Sequence, residues 1–138
     1  MNSGSGNDVL TGGTSAITLY GNLGADTLIG SLANDVLYGD NTTNSHGVLD
    51  GINTLAGGAG NDTLYAGSQG DSLRGDAGND TFYGSTGTDT LDYITNGIAI
   101  TAVLNTANIY GDGSDIADTS TIEILRSGIG YRWCKNWI

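Results

Sequence analysis

The chain repeats itself every nine residues. Starting at Ser3, ten units run to Asp92 without a frame shift, the fullest being Gly57-Gly58-Ala59-Gly60-Asn61-Asp62-Thr63-Leu64-Tyr65. The sixth position is Asp at Asp8, Asp26, Asp35, Asp62, Asp71, Asp80 and Asp89, and departs from it at Ile17, Asn44 and Asn53. The eighth is Leu10, Leu19, Leu28, Leu37, Leu55, Leu64, Leu73, Phe82 and Leu91, and departs from a large apolar residue only at His46. A period this strict restricts the fold. One unit is too small to bury a core, so neighbouring units must stack and share one.

The first six positions of a unit are polar and rich in glycine, which predicts a turn. Glycine accepts positive φ and lets backbones approach closely. The last three positions alternate outward, inward, outward, as a short strand does. Two units per turn would face their eighth-position residues across a thin interior. The fold class is therefore all-β, a parallel β-roll with two nonapeptides per turn. Ten units predict about five turns, roughly 20 Å at the ~4.8 Å spacing of adjacent strands. Alternate units then lie above one another. One edge would carry Asp8, Asp26, Asn44, Asp62 and Asp80, and the other Ile17, Asp35, Asn53, Asp71 and Asp89. In the ninth column, Tyr20 and Tyr38 would share one face, and Tyr65 and Tyr83 the other.

Charge says what such a stack needs. The chain of 138 residues has 24 Gly and no Pro, with 4 Lys and Arg against 15 acids, a net charge of -11. All the acids are Asp except Glu123. Without the repeat this composition would favour disorder. Carboxylates stacked on successive turns repel unless a cation lies between them. Short carboxylates combined with the carbonyls of a glycine turn suit a hard cation with many oxygen ligands, which points to Ca2+. The same charge argues against nucleic acid, whose phosphates need basic patches. Cys134 is the sole cysteine, so no internal disulfide is expected. No stretch is long and apolar enough for a membrane span. Met1 to Gly6 lacks the charged and apolar regions of a secretory leader. His46 is the sole histidine, which leaves no HExxH motif and no catalytic triad, so no enzyme is expected.

The pattern Gly-Gly-x-Gly-x-Asp-x-apolar-x across residues 3–92 resembles the RTX (repeats-in-toxin, haemolysin-type) calcium-binding family. A familiar example is the C-terminal β-roll domain of secreted bacterial metalloproteases. The resemblance implies calcium between successive turns, held by sixth-position Asp side chains and by backbone carbonyls of the turn. Carried onto this chain, it implies the pairs Asp62 with Asp80, Asp71 with Asp89, and Asp8 with Asp26. Turn ligands are then expected at Gly57, Gly58, Gly60, Gly75 and Gly78. Asp35 is expected to bind more weakly, between Ile17 and Asn53. The unit at 39–47 departs most from the pattern, which implies a distorted turn, weaker sites and an array split into two blocks.

Residues 93–128 resemble the strands that follow the repeats in those exoproteins. Gly97 to Thr101, Val103 to Thr106 and Thr121 to Leu125 alternate as strands do and are expected to cover the open end of the roll. Asp112, Asp115 and Asp118 are expected in a solvated turn. The tail, 129–138, holds Trp133, Cys134 and Trp137 and does not match the acidic, aliphatic export signals of the family. The implied function is a secreted, extracellular module that folds on calcium. The alternative is an adhesin, surface-layer or polysaccharide-binding module, with carbohydrate or a cell surface meeting the tyrosine faces.

Overall fold

A computed structural model describes residues 1–40, 50–93, 101–103, 108–110, 114–117 and 122–127. The units at 39–47 and 48–56 are thus described only in part, and Asn44, Ser45, His46, Asp112, Asp118 and the tail lie outside the described residues. All the described elements are strands. They are β1 (Asn2–Ser5), β2 (Val9–Thr11), β3 (Thr18–Leu23), β4 (Thr27–Ser31), β5 (Val36–Tyr38), β6 (Thr54–Ala59) and β7 (Thr63–Gly67). After these come β8 (Ser72–Ala77), β9 (Thr81–Ser85), β10 (Asp89–Tyr93), β11 (Thr101–Val103), β12 (Asn108–Tyr110), β13 (Ser114–Ala117) and β14 (Ile122–Ser127). Odd strands β1-β3-β5-β7-β9 pair in parallel in one sheet, and even strands β2-β4-β6-β8-β10 in the other. This is the β-roll, with about 4 turns.

The core is the eighth-position column. Leu10, Leu19, Leu28, Leu37, Leu55, Leu64, Leu73, Phe82 and Leu91 are buried, together with Ala66 and Tyr93. From β2 to β10 each strand contributes its eighth-position side chain, so each turn adds a pair of residues to a single thin core, and β7 and β10 add Ala66 and Tyr93. Tyr93 closes it edge-on against Phe82, with ring centroids 6.4 Å apart at 77°. Several strands run past their apolar triplet. β6 and β8 stay in register from Thr54↔Ser72 through Ala59↔Ala77, so the first three positions of the following unit extend the ladder. Positive φ then falls at the second and fourth positions of the turn, as at Gly58 (108°), Gly60 (128°) and Gly78 (138°). Asn22 and Asp76, also at the second position, adopt φ 72°, which Asn and Asp tolerate better than other side chains.

The register corrects the expected pairing of units. Along each sheet the partner lies 18 residues on, as in Leu19↔Leu37 and Leu10↔Leu28. Across the middle it jumps by 27, as Leu37 meets Leu64 and Leu28 meets Leu55. One nonapeptide is passed over in both sheets. The turn entered at Gly39 and Asp40 is completed by Asp50, Gly51, Ile52 and Asn53. Gly51 takes the usual fourth-position place, its N–H donating to the Gly24 carbonyl at 3.2 Å. The array is therefore one continuous stack and not two blocks.

At the far end, β13 pairs in parallel with β9 and β14 with β10, so both sheets are extended beyond the repeats. β11, β12 and β13 form an antiparallel meander on the first sheet. Asp115 lies within β13 and not in a turn, because Ile109↔Asp115 pairing draws its backbone into the meander.

Candidate metal centre

The passed-over unit reassigns the sixth-position columns. One edge carries Asp8, Asp26, Asn53, Asp71 and Asp89, and the other Ile17, Asp35, Asp62 and Asp80. In each column the backbone N–H of one sixth-position residue donates to the side-chain Oδ1 of the next. The bonds Asp8 to Asp26, Asp26 to Asn53, Asp71 to Asp89, Ile17 to Asp35, Asp35 to Asp62 and Asp62 to Asp80 are 2.8 Å, and Asn53 to Asp71 is 2.6 Å. The backbone carbonyls at these positions accept from the seventh position one turn on, as in Thr81 N–H to Asp62 at 2.9 Å. The pairs Asp62 with Asp80, Asp71 with Asp89 and Asp8 with Asp26 are therefore brought together as expected. Asp35 is not beside Asn53; it stands between Ile17 and Asp62.

On three of these residues the second carboxylate oxygen is left over. Asp26, Asp62 and Asp71 are each 1% exposed, and their Oδ2 atoms have no hydrogen-bond partner. Asp35 differs, because Ser31 N–H donates to its Oδ2 at 2.5 Å and Ser31 Oγ lies 3.1 Å from its Oδ1. Burial pushes the Asp62 carboxyl up to about 6, opposed by the Asp35 N–H and assisted by the Asp35 charge. Burial likewise pushes Asp71 up to about 7, with Asp89 and Asp40 adding to it. Asp26 is raised for the same first reason. A buried carboxylate pays its desolvation cost unless a partner compensates.

The protein supplies little compensation. Residues 1–93 contain one Lys or Arg, Arg74, whose Nε lies 2.9 Å from Asp76 in a half-exposed pair. Among the described residues no three His, Cys, Asp or Glu side chains converge on a point. A cation here would thus be held by carboxylates in pairs from successive turns, completed by backbone oxygens. That donor set is all oxygen and hard, and it fits Ca2+. The glycine turns leave room for the carboxylates. A Cβ on Gly30 would fall 2.6 Å from Asp35 Oδ2, and one on Gly75 or Gly57 would overlap Asp80 or Asp62. Gly78, packed on the Gly60 carbonyl, and Gly58, within the β6 ladder, hold successive turns together.

Residues missed from sequence cluster at the passed-over unit. Asp40 and Asp50 are buried, 7% and 8% exposed, and Ser68 Oγ lies 3.0 Å from the Oδ2 of each. The sequence carried little signal, because the second turn position of Asp40 also holds Asn22, Ser31, Asp76 and Ser85 in other units.

The tyrosines form one row and not two pairs. Tyr20, Tyr38, Tyr65 and Tyr83 stack on successive odd strands, with centroids 4.9, 4.6 and 4.7 Å apart and planes within 3°, 4° and 7°. The rings cover one another's faces, leaving edges and hydroxyls outward.

Comparison with known proteins agrees with this geometry. Four copies of a family model described as the RTX calcium-binding nonapeptide repeat match residues 1–16, 18–44, 49–81 and 65–93. A search among curated proteins found no match.

Proposed function

The chain belongs to the RTX calcium-binding nonapeptide-repeat family, and from that premise we propose that it is a non-catalytic module that folds when it meets extracellular calcium. The observation that carries the proposal is the pair of columns of buried carboxylates: on Asp26, Asp62 and Asp71 Oδ1 accepts a backbone N–H, from Asp8, Asp35 and Asn53, while Oδ2 has no partner. Metal-free, the roll must bury these charges around a thin core. Calcium supplies the missing partner, so binding energy becomes folding energy. Extracellular modules bind calcium at about 10⁻⁴–10⁻³ M. A secreted chain of this kind would stay unfolded before export and fold outside.

Far-UV circular dichroism of chelator-stripped protein, titrated with calcium and then with magnesium, tests this reading. A coil-to-β transition given by calcium alone supports it. A β spectrum indifferent to chelator and to calcium refutes it.

A second reading, in which the roll binds a polysaccharide or cell surface, rests on the first sheet's outer face. Thr18, Val36, Thr63 and Thr81 line it beside the four tyrosines, with no charge in either row. Because the stacked rings hide their faces, a glycan would meet phenol hydroxyls and ring edges. Glycan-array binding that requires calcium and is lost in Tyr38→Phe with Tyr65→Phe would support it.

A further inference from the structure

Asn53 looks like a degenerate sixth position, yet its amide is placed with care. Its Oδ1 accepts the Asp26 N–H at 2.8 Å, as the Asp residues of the column do. Its Nδ2 occupies the place of their Oδ2. A Cβ on Gly39 would fall 2.7 Å from Asn53 Nδ2, just as one on Gly21 would fall 2.5 Å from Asp26 Oδ2. That Nδ2 donates to Asp40 Oδ1 at 2.8 Å. A carboxylate at residue 53 would set two anionic oxygens against each other. The charge missing from Asn53 has therefore moved a single hydrogen bond away, onto Asp40.

Two further observations bear on what that charge meets. Asp26 and Asp71 stand on the turns either side of Asn53, 1% exposed and with Oδ2 unpartnered, and both feel the Asp40 charge. Ser68 Oγ has one proton and lies 3.0 Å from both Asp40 Oδ2 and Asp50 Oδ2, so it can donate to only one of them. Ser68 N–H also donates to Asp40 Oδ2 at 2.8 Å, so with the Ser68 hydroxyl given to Asp50 each Asp40 oxygen accepts one bond and keeps a lone pair for a cation. The unmet carboxylate oxygens at this junction are Asp26 Oδ2 and Asp71 Oδ2.

We propose that Asp40 supplies the carboxylate of a calcium site at the turn completed by Asn53, with Asp50 and Ser68 Oγ as neighbouring oxygens. This rests on the calcium reading of the roll. It substitutes one ligand within the same turn: the carboxylate comes from the second turn position and not the sixth. The stack thereby keeps its calcium column unbroken where one unit is passed over.

The test uses the whole chain with calcium alone as probe, counting bound calcium by equilibrium dialysis and following folding by circular dichroism. Asp40→Asn is expected to bind one calcium fewer and to need several-fold more calcium to fold. Asp40→Asn with Asn53→Asp returns the carboxylate to the column and keeps a mirrored amide–carboxylate bond. That double variant is expected to regain the wild-type stoichiometry. An Asp40→Asn protein with wild-type stoichiometry and midpoint overturns the proposal. If Asp40→Asn does not fold, the double variant decides: full stoichiometry supports the proposal, and an unfolded or calcium-deficient protein overturns it. Wild-type protein that binds no calcium would instead remove the function proposed for the whole roll.

Discussion

The two oxygens of a sixth-position Asp have different roles. Oδ1 is part of the scaffold, because it accepts a backbone N–H from the turn before, as Asp71 does from Asn53 at 2.6 Å. Oδ2 of Asp71 is buried and unpartnered. Asparagine keeps the first role and loses the second. Asp71→Asn is thus expected to act in opposite directions. In chelator it should shift the coil–roll balance toward the roll, because it removes a buried charge. With calcium it should raise the concentration needed for folding. Far-UV circular dichroism in chelator and through a calcium titration checks this, and shifts of the same sign in both would refute it. The pH dependence follows from the same atom. Asp71 is raised to about 7 and Asp62 to about 6 in the roll, against 3.8 for the free group. The folded form therefore holds protons that the unfolded chain has released. Metal-free stability from these groups is complete below about pH 4 and is lost as pH rises through about 6 to 7. Acidifying chelator-stripped protein from about pH 8 to about pH 4.5 should shift its coil–roll balance toward the roll, read as growing β signal in far-UV circular dichroism, while calcium affinity falls as protons compete. A spectrum unchanged across that window would show that protonating these carboxyls does not favour the roll.

The element scale is where sequence reading went astray. The turn, the three-residue strand, the inward leucine and the buried Asp were all legible, because each is set by position within one unit. Which units stack was not. An insertion of nine residues leaves a nine-residue frame unbroken, so Asp35 and Asp62 remain in phase whether or not a unit intervenes. Only residue identity could betray it: His46 in a leucine position, and four tyrosines that align once a unit is skipped. The tyrosine row makes the register testable. Tyr38 and Tyr65 stack at 4.6 Å, whereas the uninterrupted pairing would place them on opposite faces. Aromatic pairs carry about 0.5–1.5 kcal/mol beyond burial. A double-mutant cycle of Tyr38→Ala and Tyr65→Ala should show coupling of that size, and additive losses would argue for the other register. Tyr38→Ala, which removes two stacking partners, should cost more than Tyr20→Ala, which removes one. The turn makes a second prediction. Gly78 has φ 138° and lies against the Gly60 carbonyl, so Gly78→Ala meets both strain and overlap. It should cost on the order of 2–4 kcal/mol, read as a higher calcium midpoint.

Over the whole molecule, one strip of leucines holds two sheets whose edges carry most of the charge. Such a stack is close to one-dimensional, each turn touching its neighbours only, so continuity of the ladder matters more than the number of units. Continuity across the middle is preserved by a turn assembled from two places in the sequence. Gly39 and Asp40 enter it, and Asp50, Gly51, Ile52 and Asn53 leave it. Asp40 and Asp50 both reach the same Ser68 hydroxyl at 3.0 Å, so the chain on either side of residues 41–49 is already close. Joining Asp40 directly to Asp50 would give Gly39-Asp40-Asp50-Gly51-Ile52-Asn53-Thr54-Leu55-Ala56, an ordinary nonapeptide with glycine at its first and fourth positions. Deleting 41–49 should therefore leave the tyrosine row, both carboxylate columns and the calcium midpoint intact. Shortening the connection between Asp40 and Asp50 by nine residues should add up to about 2 kcal/mol of stability through closure entropy. Deleting 57–65 removes the same number of residues but takes out β7, sending every later unit to the opposite sheet. Tyr83 would leave the row and Asp80 would leave the column of Asp35. That variant should fold poorly even in high calcium. Calcium-dependent melts of the two deletions decide the matter. Equal damage from both would mean that 41–49 is part of the stack after all, and that the 27-residue step between Leu37 and Leu64 is wrong.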